Sequence, residues 1–310
     1  MTAAPPGLAT VSAVTLVAAG PGYAVAAAPA KVNLFLEVVG RRADGYHDIE
    51  TLLLPVDLFD TVEVRGVPGH DFTLECDPPG LPTGPTNLVS KAADAIKGLT
   101  GRRFGARIRL VKRIPHEAGL GGGSSDAAAT LVALNHLFFH SDLTPEHLFI
   151  LGGDIGSDVP AFLVGPAAWA TGRGEVVDPA PVGGVLHLVL VKPPFGLGTA
   201  SVYGHVSVPA DPVEGSALRA AVAAGDAVRI APLMHNRLQE AAFAAGPAVA
   251  ALHARLAACG PLAAMVSGSG SCVFALCRGR ADAVRVAGLM AGAGRVFVVR
   301  AGSGAGSAGN

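Results

Sequence analysis

The chain has 310 residues, of which 50% are hydrophobic and 15% charged, and its formal net charge at pH 7 is −1. This composition supplies enough apolar material for two ordinary domain cores and excludes extended disorder. The small net charge, with Lys and Arg spread along the chain, argues against the broad positive field that attracts nucleic acid or anionic lipid. We therefore expect a globular protein that binds neither nucleic acid nor a membrane.

Two further features favour a cytoplasmic location. The four cysteines form no Cys-x-x-Cys pair and no ligand spacing with histidine, which indicates reduced thiols rather than a zinc site or a disulfide framework. The apolar stretch from Gly7 to Ala28 has no basic residue before it, since the first Lys or Arg is Lys31, so it does not match a secretory signal. No uninterrupted apolar run is long enough to predict a membrane-spanning helix.

Apolar periodicity predicts strands and helices in chain order. In the first part of the chain, alternation at period two or continuous apolar residues predict strands near residues 23–39, 62–64, 72–74 and 108–110. Spacing of three and four predicts helices at 88–99 and 124–139. A third helix opens at Thr144-Pro145-Glu146, and Gly152-Gly153 should end it.

A second unit is predicted to begin near Val185. Its predicted elements are a strand at 185–191, helices at 227–243 and 249–258, strands around a glycine turn within 263–276, a helix at 281–290 and a strand at 295–300. Helices on one face of a small antiparallel sheet would satisfy this order. The Gly/Ser/Ala-rich end at 302–310 predicts a flexible tail.

The sharpest chemical feature is a glycine-rich stretch at residues 115–126, which we call the first glycine segment. It reads Pro115-His116-Glu117-Ala118-Gly119-Leu120-Gly121-Gly122-Gly123-Ser124-Ser125-Asp126. Glycines let the backbone approach an anion closely, and the helix that follows offers N–H groups and the positive end of its dipole. No Gly-Lys-Ser/Thr follows, and Ser124 stands where a dinucleotide loop needs its third glycine. A phosphate chain is therefore the expected ligand, and a glycine-rich turn without a ligand is the alternative.

The first glycine segment resembles the ATP-binding signature of the GHMP kinases. Three other stretches resemble the diphosphocytidyl-methylerythritol kinases within that family. They are Ala30-Lys31-Val32-Asn33-Leu34-Phe35-Leu36 with Gly40-Arg41-Arg42-Ala43-Asp44-Gly45-Tyr46-His47, then Gly156-Ser157-Asp158-Val159-Pro160-Ala161-Phe162, and Ser267-Gly268-Ser269-Gly270-Ser271. The last of these, residues 267–271, we call the second glycine segment; by itself it would suit a hairpin turn.

The resemblance runs from about Pro29 to about Val299 and implies a fold. We expect an α+β, two-domain GHMP kinase fold, with a ribosomal protein S5 domain 2-like N-terminal domain and a ferredoxin-like C-terminal domain. The N-terminal, ATP-binding domain should occupy residues 22–178, and the C-terminal GHMP kinase domain residues 185–301. The first roughly twenty residues have no counterpart in the family and are expected to be an added disordered segment or a misassigned start.

The resemblance also implies two catalytic residues. The family counterpart of Asp158 faces the substrate hydroxyl, although by itself Asp158 would suit a helix cap. Lys31 lies in an apolar strand, where an unpaired ammonium is costly to bury, so a carboxylate or an anionic ligand is expected beside it. We predict that Asp158 orients and finally deprotonates the hydroxyl, while Lys31 holds Asp158 and stabilises the developing alkoxide.

ATP and Mg²⁺ are the implied ligands of the first glycine segment. The resemblance places the phosphates on the amides of residues 119–125 and makes Ser125 a candidate metal contact. It also places Asn87 and Lys112 on the ATP side. As isolated residues these two would be a helix cap and a surface lysine.

The implied substrate contacts are Asn33, Tyr46, His47, Phe195 and Thr199. Tyr46 and His47 would hold a cytosine, on which aromatic stacking contributes about 1 to 3 kcal/mol per ring. Without the resemblance they would be core aromatics at a strand end. Phe195 and Thr199 lie in the stretch from Lys192 to Thr199, which occupies the position of the family's second substrate-contacting loop.

The activity implied is ATP-dependent phosphorylation of the 2-hydroxyl of 4-diphosphocytidyl-2-C-methyl-D-erythritol, by a monomer or a weak homodimer. One alternative is a GHMP kinase for another alcohol, such as homoserine or a mevalonate derivative. Another is a regulatory protein that binds a nucleotide without transferring phosphate. The stretch Asp44-Gly45-Tyr46-His47 favours a cytidine-containing substrate, and the presence of both Lys31 and Asp158 argues against the regulatory protein.

Overall fold

The computed structural model describes residues 12–302, so residues 303–310 of the predicted tail lie outside the described part of the chain. The strands are β1 Thr15–Gly20, β2 Tyr23–Arg41, β3 His47–Val67, β4 Phe72–Asp77, β5 Gly105–Val111, β6 Ala168–Gly172, β7 Val176–Pro179, β8 Val185–Lys192, β9 His235–Asn236, β10 Ala263–Val266, β11 Val273–Cys277 and β12 Arg295–Gly302. The helices are α1 Leu88–Thr100, α2 Gly122–Phe139, α3 Pro145–Ile155, α4 Thr199–Tyr203, α5 Ser216–Ala224, α6 Ala227–Ile230, α7 Gln239–Ala245, α8 Pro247–Ala258 and α9 Arg280–Leu289. The predicted α+β class is confirmed.

Within residues 12–302, none of the helices combines the length and the apolar composition that a membrane crossing requires.

Contacts divide the chain into two compact units. Among the described residues, unit 1 contains residues 12–30, Leu58–Ile114 and Gly121–Gly165, and unit 2 contains Lys31–Asp57, Pro115–Leu120 and residues 166–302. The long strands β2 and β3 contribute residues to both units. Each unit is assembled from separate stretches of chain. The two predicted domains, residues 22–178 and 185–301, are each one continuous stretch, and their boundaries stay predictions.

Unit 1 is a sheet covered by helices. Its strands follow the order β1-β2-β3-β5-β4, with β3 antiparallel to β5 and β4 parallel to β5. Alternate residues of β3 and β5, such as Val64 and Ile108, point into a core that α1, α2 and α3 close. This is the period-two pattern that predicted both strands.

The start of the described chain is ordered as a strand. β1 pairs antiparallel with β2, with Gly20 opposite Tyr23. Val14, just before β1, is 3% exposed and belongs to the core of unit 1. The expectation of an added disordered segment was therefore wrong for residues 14–20, while residues 1–11 lie outside the described part. β1 is short and largely exposed, so its sequence carries no burial pattern that would predict a strand.

Unit 2 contains a four-stranded antiparallel sheet in the order β10-β11-β8-β12. Val189 on β8 and Val273 on β11 face a core that they share with Leu252 on α8 and Val286 on α9. Helices on one face of a small antiparallel sheet were predicted for this part of the chain, and the prediction is confirmed.

Two predicted helices differ from the structure. The segment 227–243 is not one helix: α6 ends at Ile230, a 3-10 turn covers Ala231–Leu233, and the strand β9 precedes α7. Pro232 cannot donate the hydrogen bond that a helix interior needs, and the polar residues after it find partners on β2 instead. The helix α3 passes through Gly152-Gly153 and ends at Ile155, and a Cβ on Gly152 would be 3.1 Å from Val159 Cγ1.

A buried ion pair joins β9 to β2 in unit 2. Glu37 is 0% exposed and accepts hydrogen bonds from Arg237 Nε and Nη2, both at 2.7 Å, and it lies 3.1 Å from His235 Nε2. Burial alone would raise the pKa of Glu37, but the hydrogen bonds from Arg237 and from the N–H groups of Val213 and Val38 outweigh it and lower the pKa to about 2.

This lowered pKa leads to a prediction for Glu37→Gln. Ionised Glu37 stabilises the fold above its unfolded pKa of 4.5, and that contribution is lost as the pH falls toward the folded pKa of about 2. With His235→Gln in both proteins, so that the neighbouring imidazole does not titrate, we expect the protein with Glu37 to exceed Glu37→Gln in free energy of unfolding by a constant amount above about pH 5, and by less at pH 4 and 3. Urea unfolding across this range measures the difference. Glu75→Gln, an exposed change, is the control, and a pH-independent difference for Glu37→Gln would contradict the prediction.

Candidate active site

The first glycine segment has the backbone conformation that its sequence predicted. Gly119 and Gly121 have φ values of 71° and 67°, which lie in the left-handed region that glycine adopts without strain. Gly121 is the N-cap of α2 and provides no side-chain hydrogen bond to the first turn of the helix. Within residues 12–302, the N-cap residue therefore leaves the first N–H groups of α2 without a side-chain cap.

In unit 2, residues 118–120 are held from two sides. Leu120 O accepts a hydrogen bond from Lys31 N at 3.0 Å. Ala118 O accepts from Cys272 N at 3.2 Å, and Gly119 O accepts from Ser267 Oγ at 3.0 Å. A Cβ on Gly119 would overlap Ser267 O, so the close approach of the two glycine segments requires glycine at this position.

Lys31 begins a buried chain of polar side chains in unit 2. Its Nζ donates to Asn33 Oδ1 at 2.6 Å, and Asn33 Nδ2 donates to Thr51 Oγ1 at 2.8 Å. Thr51 Oγ1 in turn donates to Phe35 O at 2.6 Å. Lys31 and Asn33 are two residues apart on β2 and therefore share one face of the strand. The second glycine segment lies against this face, because a Cβ on Gly268 would be 3.2 Å from Asn33 Oδ1 and 3.5 Å from Lys31 Nζ.

The loop containing Phe195 and Thr199 also contacts the second glycine segment. Phe195 O accepts hydrogen bonds from Ser271 Oγ at 2.6 Å and from Lys192 Nζ at 2.7 Å. Thr199 Oγ1 lies 3.1 Å from Ser269 Oγ. Burial lowers the pKa of Lys192. Unit 2 thus brings Lys31, residues 118–120 and the Phe195 loop together around the second glycine segment.

The predicted cytosine residues lie at the start of β3. The ring of His47 stacks on Tyr203, with centroids 5.2 Å apart and an interplanar angle of 28°. Tyr46 is 60% exposed, and the guanidinium of Arg173 lies 5.3 Å from its ring centroid. The alternative of two core aromatics is therefore wrong for Tyr46. Tyr203 was not singled out from the sequence; its position four residues after Thr199 on α4 was the available signal.

Unit 1 places a buried charge cluster beneath the start of α2. Lys112 Nζ donates to Asp126 Oδ2 at 2.7 Å and also to Asp60 Oδ2. Asp60 is 0% exposed and further accepts from the N–H of Ile114 at 2.9 Å. Burial opposes the charge of Lys112, but Asp126 and Asp60 outweigh it and raise the pKa of Lys112. The alternative of a surface lysine was wrong, because two carboxylates from separate elements cover the ammonium.

Two oxygens at the start of α2 remain unsatisfied by the described residues. Ser125 Oγ and Asp126 Oδ1 are buried and have no hydrogen-bond partner there. Burial raises the pKa of Asp126, against the attraction of Lys112. Oxygen donors of this kind suit a hard cation such as Mg²⁺, which takes one or two protein ligands and completes its shell with water and phosphate. Residues 12–302 contain no group of three or more His, Cys, Asp or Glu arranged to hold a metal ion.

Asn87 and Asp158 belong to unit 1. Asn87 is the N-cap of α1, with Oδ1 accepting from Val89 N at 2.9 Å, and the next residue, Leu88, lies near Gly123 at the start of α2. Asp158 lies in the turn between α3 and a 3-10 turn whose N-cap is Val159. Lys31 belongs to unit 2, and the pairing of Lys31 with Asp158 stays a prediction.

Comparison with known proteins identifies the family. A model of the GHMP kinases N terminal domain matches residues 87–166, and a model of the GHMP kinases C terminal domain matches residues 218–293. The 4-diphosphocytidyl-2-C-methyl-D-erythritol kinase of Pelotomaculum thermopropionicum is 43% identical over 81% of this chain and 88% of its own. The chain belongs to the GHMP kinase family.

Solved structures agree with this assignment. A crystal structure of 4-(cytidine 5'-diphospho)-2C-methyl-D-erythritol kinase superposes on this GHMP kinase with a TM-score of 0.77, at 36% identity, over 90% of this chain and 100% of the other. The homoserine kinase of Cytophaga hutchinsonii superposes with a TM-score of 0.73 at 19% identity, over 93% of this chain and 96% of its own, and shares the fold. The predicted GHMP kinase fold is confirmed.

The packing of this GHMP kinase around α2 distinguishes two neighbouring glycines. A Cβ on Gly122 would be 3.1 Å from Lys112 Nζ and 3.1 Å from Ile114 Cγ2, whereas the nearest atom to a Cβ on Gly123 is 3.6 Å away. We expect Gly122→Ala to lower the free energy of unfolding by about 1 kcal/mol through overpacking. Gly123→Ala is the control and should be neutral or stabilising, because alanine suits a helix better than glycine. Urea unfolding of both variants checks this, and equal effects would refute it.

Proposed function

We propose that this chain phosphorylates the 2-hydroxyl of 4-diphosphocytidyl-2-C-methyl-D-erythritol with ATP, in non-mevalonate isoprenoid precursor biosynthesis. The observation that carries the proposal is the junction in unit 2, where Lys31 and Asn33 meet the second glycine segment beside residues 118–120. The relatives named for this alcohol support the choice of substrate. The cytoplasmic location expected from the sequence is part of the proposal.

The first glycine segment holds the triphosphate in this proposal. Amides of residues 119–125 receive the phosphate oxygens, and the start of α2 directs its dipole toward them. Asn87, at the start of α1, and Lys112 lie on the ATP side; the ammonium of Lys112 acts as a fixed charge beneath α2, since two carboxylates engage it. Mg²⁺, when bound, would neutralise charge on the phosphates, with Ser125 Oγ as a candidate ligand.

Lys31 and Asp158 carry the chemistry in this proposal. Phosphoryl transfer is largely dissociative, so the hydroxyl loses its proton late, and positioning with charge stabilisation dominates the rate. Asp158 orients the hydroxyl and finally accepts its proton. Lys31, fixed by its hydrogen bond to Asn33, stabilises the developing alkoxide.

The substrate side of the proposal uses the aromatic pair in unit 2. The stacked rings of His47 and Tyr203 provide a flat surface suited to a base, and Tyr46 offers a second, exposed ring nearby in the chain. Asn33, Phe195 and Thr199 contribute polar and apolar contacts from β2 and from the loop that ends in α4. A pyrimidine diphosphate thus fits these residues better than a bare alcohol such as homoserine.

The acceptor is tested by ADP release with three alcohols. We expect turnover with 4-diphosphocytidyl-2-C-methyl-D-erythritol and none above background with homoserine or mevalonate. Activity on one of the latter alone would favour the alternative of another GHMP kinase. ATP binding without ADP release from any of the three would favour the regulatory protein.

The role of Asp158 is tested by Asp158→Asn. The amide cannot accept the proton, so we expect turnover to fall at least about 100-fold while the unfolding midpoint stays near that of wild type. Steady-state ADP release and thermal unfolding give the two readouts. Asp154→Asn, an exposed change in the last turn of α3, is the matched control and should retain activity. Turnover like that of wild type in Asp158→Asn would remove this residue from the mechanism.

A further inference from the structure

The side chain of Asn236 binds the main chain of the second glycine segment and of the residue before it. Asn236 is 7% exposed, and its Nδ2 donates to Val266 O at 2.8 Å and to Gly268 O at 2.9 Å. Its Oδ1 accepts from Leu238 N at 2.9 Å, so the orientation of the amide is determined. Gln239 adds a further contact, with Oε1 accepting from Val266 N at 3.1 Å.

Asn236 is itself anchored to the strand that carries Lys31. It lies on β9, where Leu36 of β2 is opposite Asn236 and Leu36 O accepts from Arg237 N at 2.8 Å. The ion pair of Glu37 with Arg237 reinforces this attachment. Asn236 therefore bridges two elements, the strand β2 and the second glycine segment, within unit 2.

The bridge determines the distance between Gly268 and the polar face of β2. Gly268 lies against Asn33 Oδ1 and Lys31 Nζ closely enough that a Cβ there would contact both atoms. Its φ of 54° is in the left-handed region, which the hydrogen bond to Gly268 O helps to maintain. A shift of this segment would change the space in front of Lys31 and also disturb the Ser267 contact to Gly119.

We infer that Asn236 is a positioning residue for phosphoryl transfer, because its amide holds the second glycine segment at the correct distance from Lys31 and Asn33. Asn236 does not touch the reacting groups; it acts through Val266 and Gly268. This role rests on the proposed kinase function. Position 236 requires a carboxamide and not only a side chain of this size. The group must donate two N–H hydrogen bonds to two carbonyl oxygens and also accept one, and a carboxamide does both.

Asn236→Asp is the decisive variant. It keeps the acceptor for Leu238 N but sets a carboxylate against the oxygens of Val266 and Gly268, which will repel it. We expect kcat to fall about 100-fold, as for a displacement of about 1 Å near the reacting groups, with little change in the KM for ATP. The amide hydrogens of Ser267 and Gly270, bonded to Cys272 O and Ser267 O, should exchange faster with solvent.

Asn135→Asp is the matched control. Asn135 is also a buried asparagine, 5% exposed, whose amide binds the main chain of Leu143 at 2.8 and 3.2 Å. It lies in the last turns of α2, far along the helix from the first glycine segment. We expect a comparable fall in unfolding temperature but unchanged kcat and unchanged exchange at Ser267 and Gly270. Equal kcat for the two variants, or unchanged exchange in Asn236→Asp, would overturn the inference.

Asn236→Ala covers the case in which Asn236→Asp does not fold. It removes the N–H donors to Val266 O and Gly268 O without adding a charge. We expect a fall in kcat of several fold with faster exchange at Ser267 and Gly270, and no change in either would overturn the inference. If wild type releases no ADP with the diphosphocytidyl alcohol, the proposed function fails and the catalytic role of Asn236 fails with it. The exchange measurement still decides separately whether Asn236 holds the segment.

Discussion

The hydrogen bonds that hold residues 118–120 between β2 and the second glycine segment are the constraint on which the organisation of unit 2 depends. Lys31 N and Cys272 N bind the carbonyl oxygens at the two ends of this stretch, and Ser267 Oγ binds the one between them. These contacts leave no space for a Cβ on Gly119, so only glycine fits at this position. The strand that carries Lys31 and the segment opposite it are thereby brought to the same loop.

Buried carboxylates in both units pair with a cation, and two of them, Glu37 and Asp60, also accept hydrogen bonds from main-chain N–H groups. In unit 2 the carboxylate of Glu37 binds Arg237, the residue that follows the two-residue strand β9. In unit 1 Asp60 and Asp126 surround Lys112 directly beneath the first residues of α2. Removing one partner of such a cluster leaves an unpaired buried charge, which costs far more than the pair gains. These clusters therefore connect β2 to the residue after β9, and connect β3 and α2 to the residue after β5.

Much of this organisation follows from local sequence. Period-two alternation predicted β3 and β5, and the cap residues of α1 and α3 are those that the sequence indicated, Asn87 and Thr144. The positive φ values of Gly119 and Gly121 agree with the phosphate-loop interpretation of the first glycine segment. Predictions failed where distant partners decide the outcome. The stretch 227–243 has helical composition, yet a buried carboxylate on β2 draws part of it into a strand.

The order of amino acids is enough to predict the family resemblance, the α+β class, most element positions and the candidate residues of the glycine segments, because these depend on residues close together in the chain. Contacts between distant residues are needed to show that Lys112 is enclosed by Asp60 and Asp126, and that Tyr203 stacks on His47. They also show that Asn236 donates hydrogen bonds to Val266 and Gly268. Those partners are separated by 14 to more than 150 residues, and a hydrogen bond or ring contact between them carries no periodic signal along the chain.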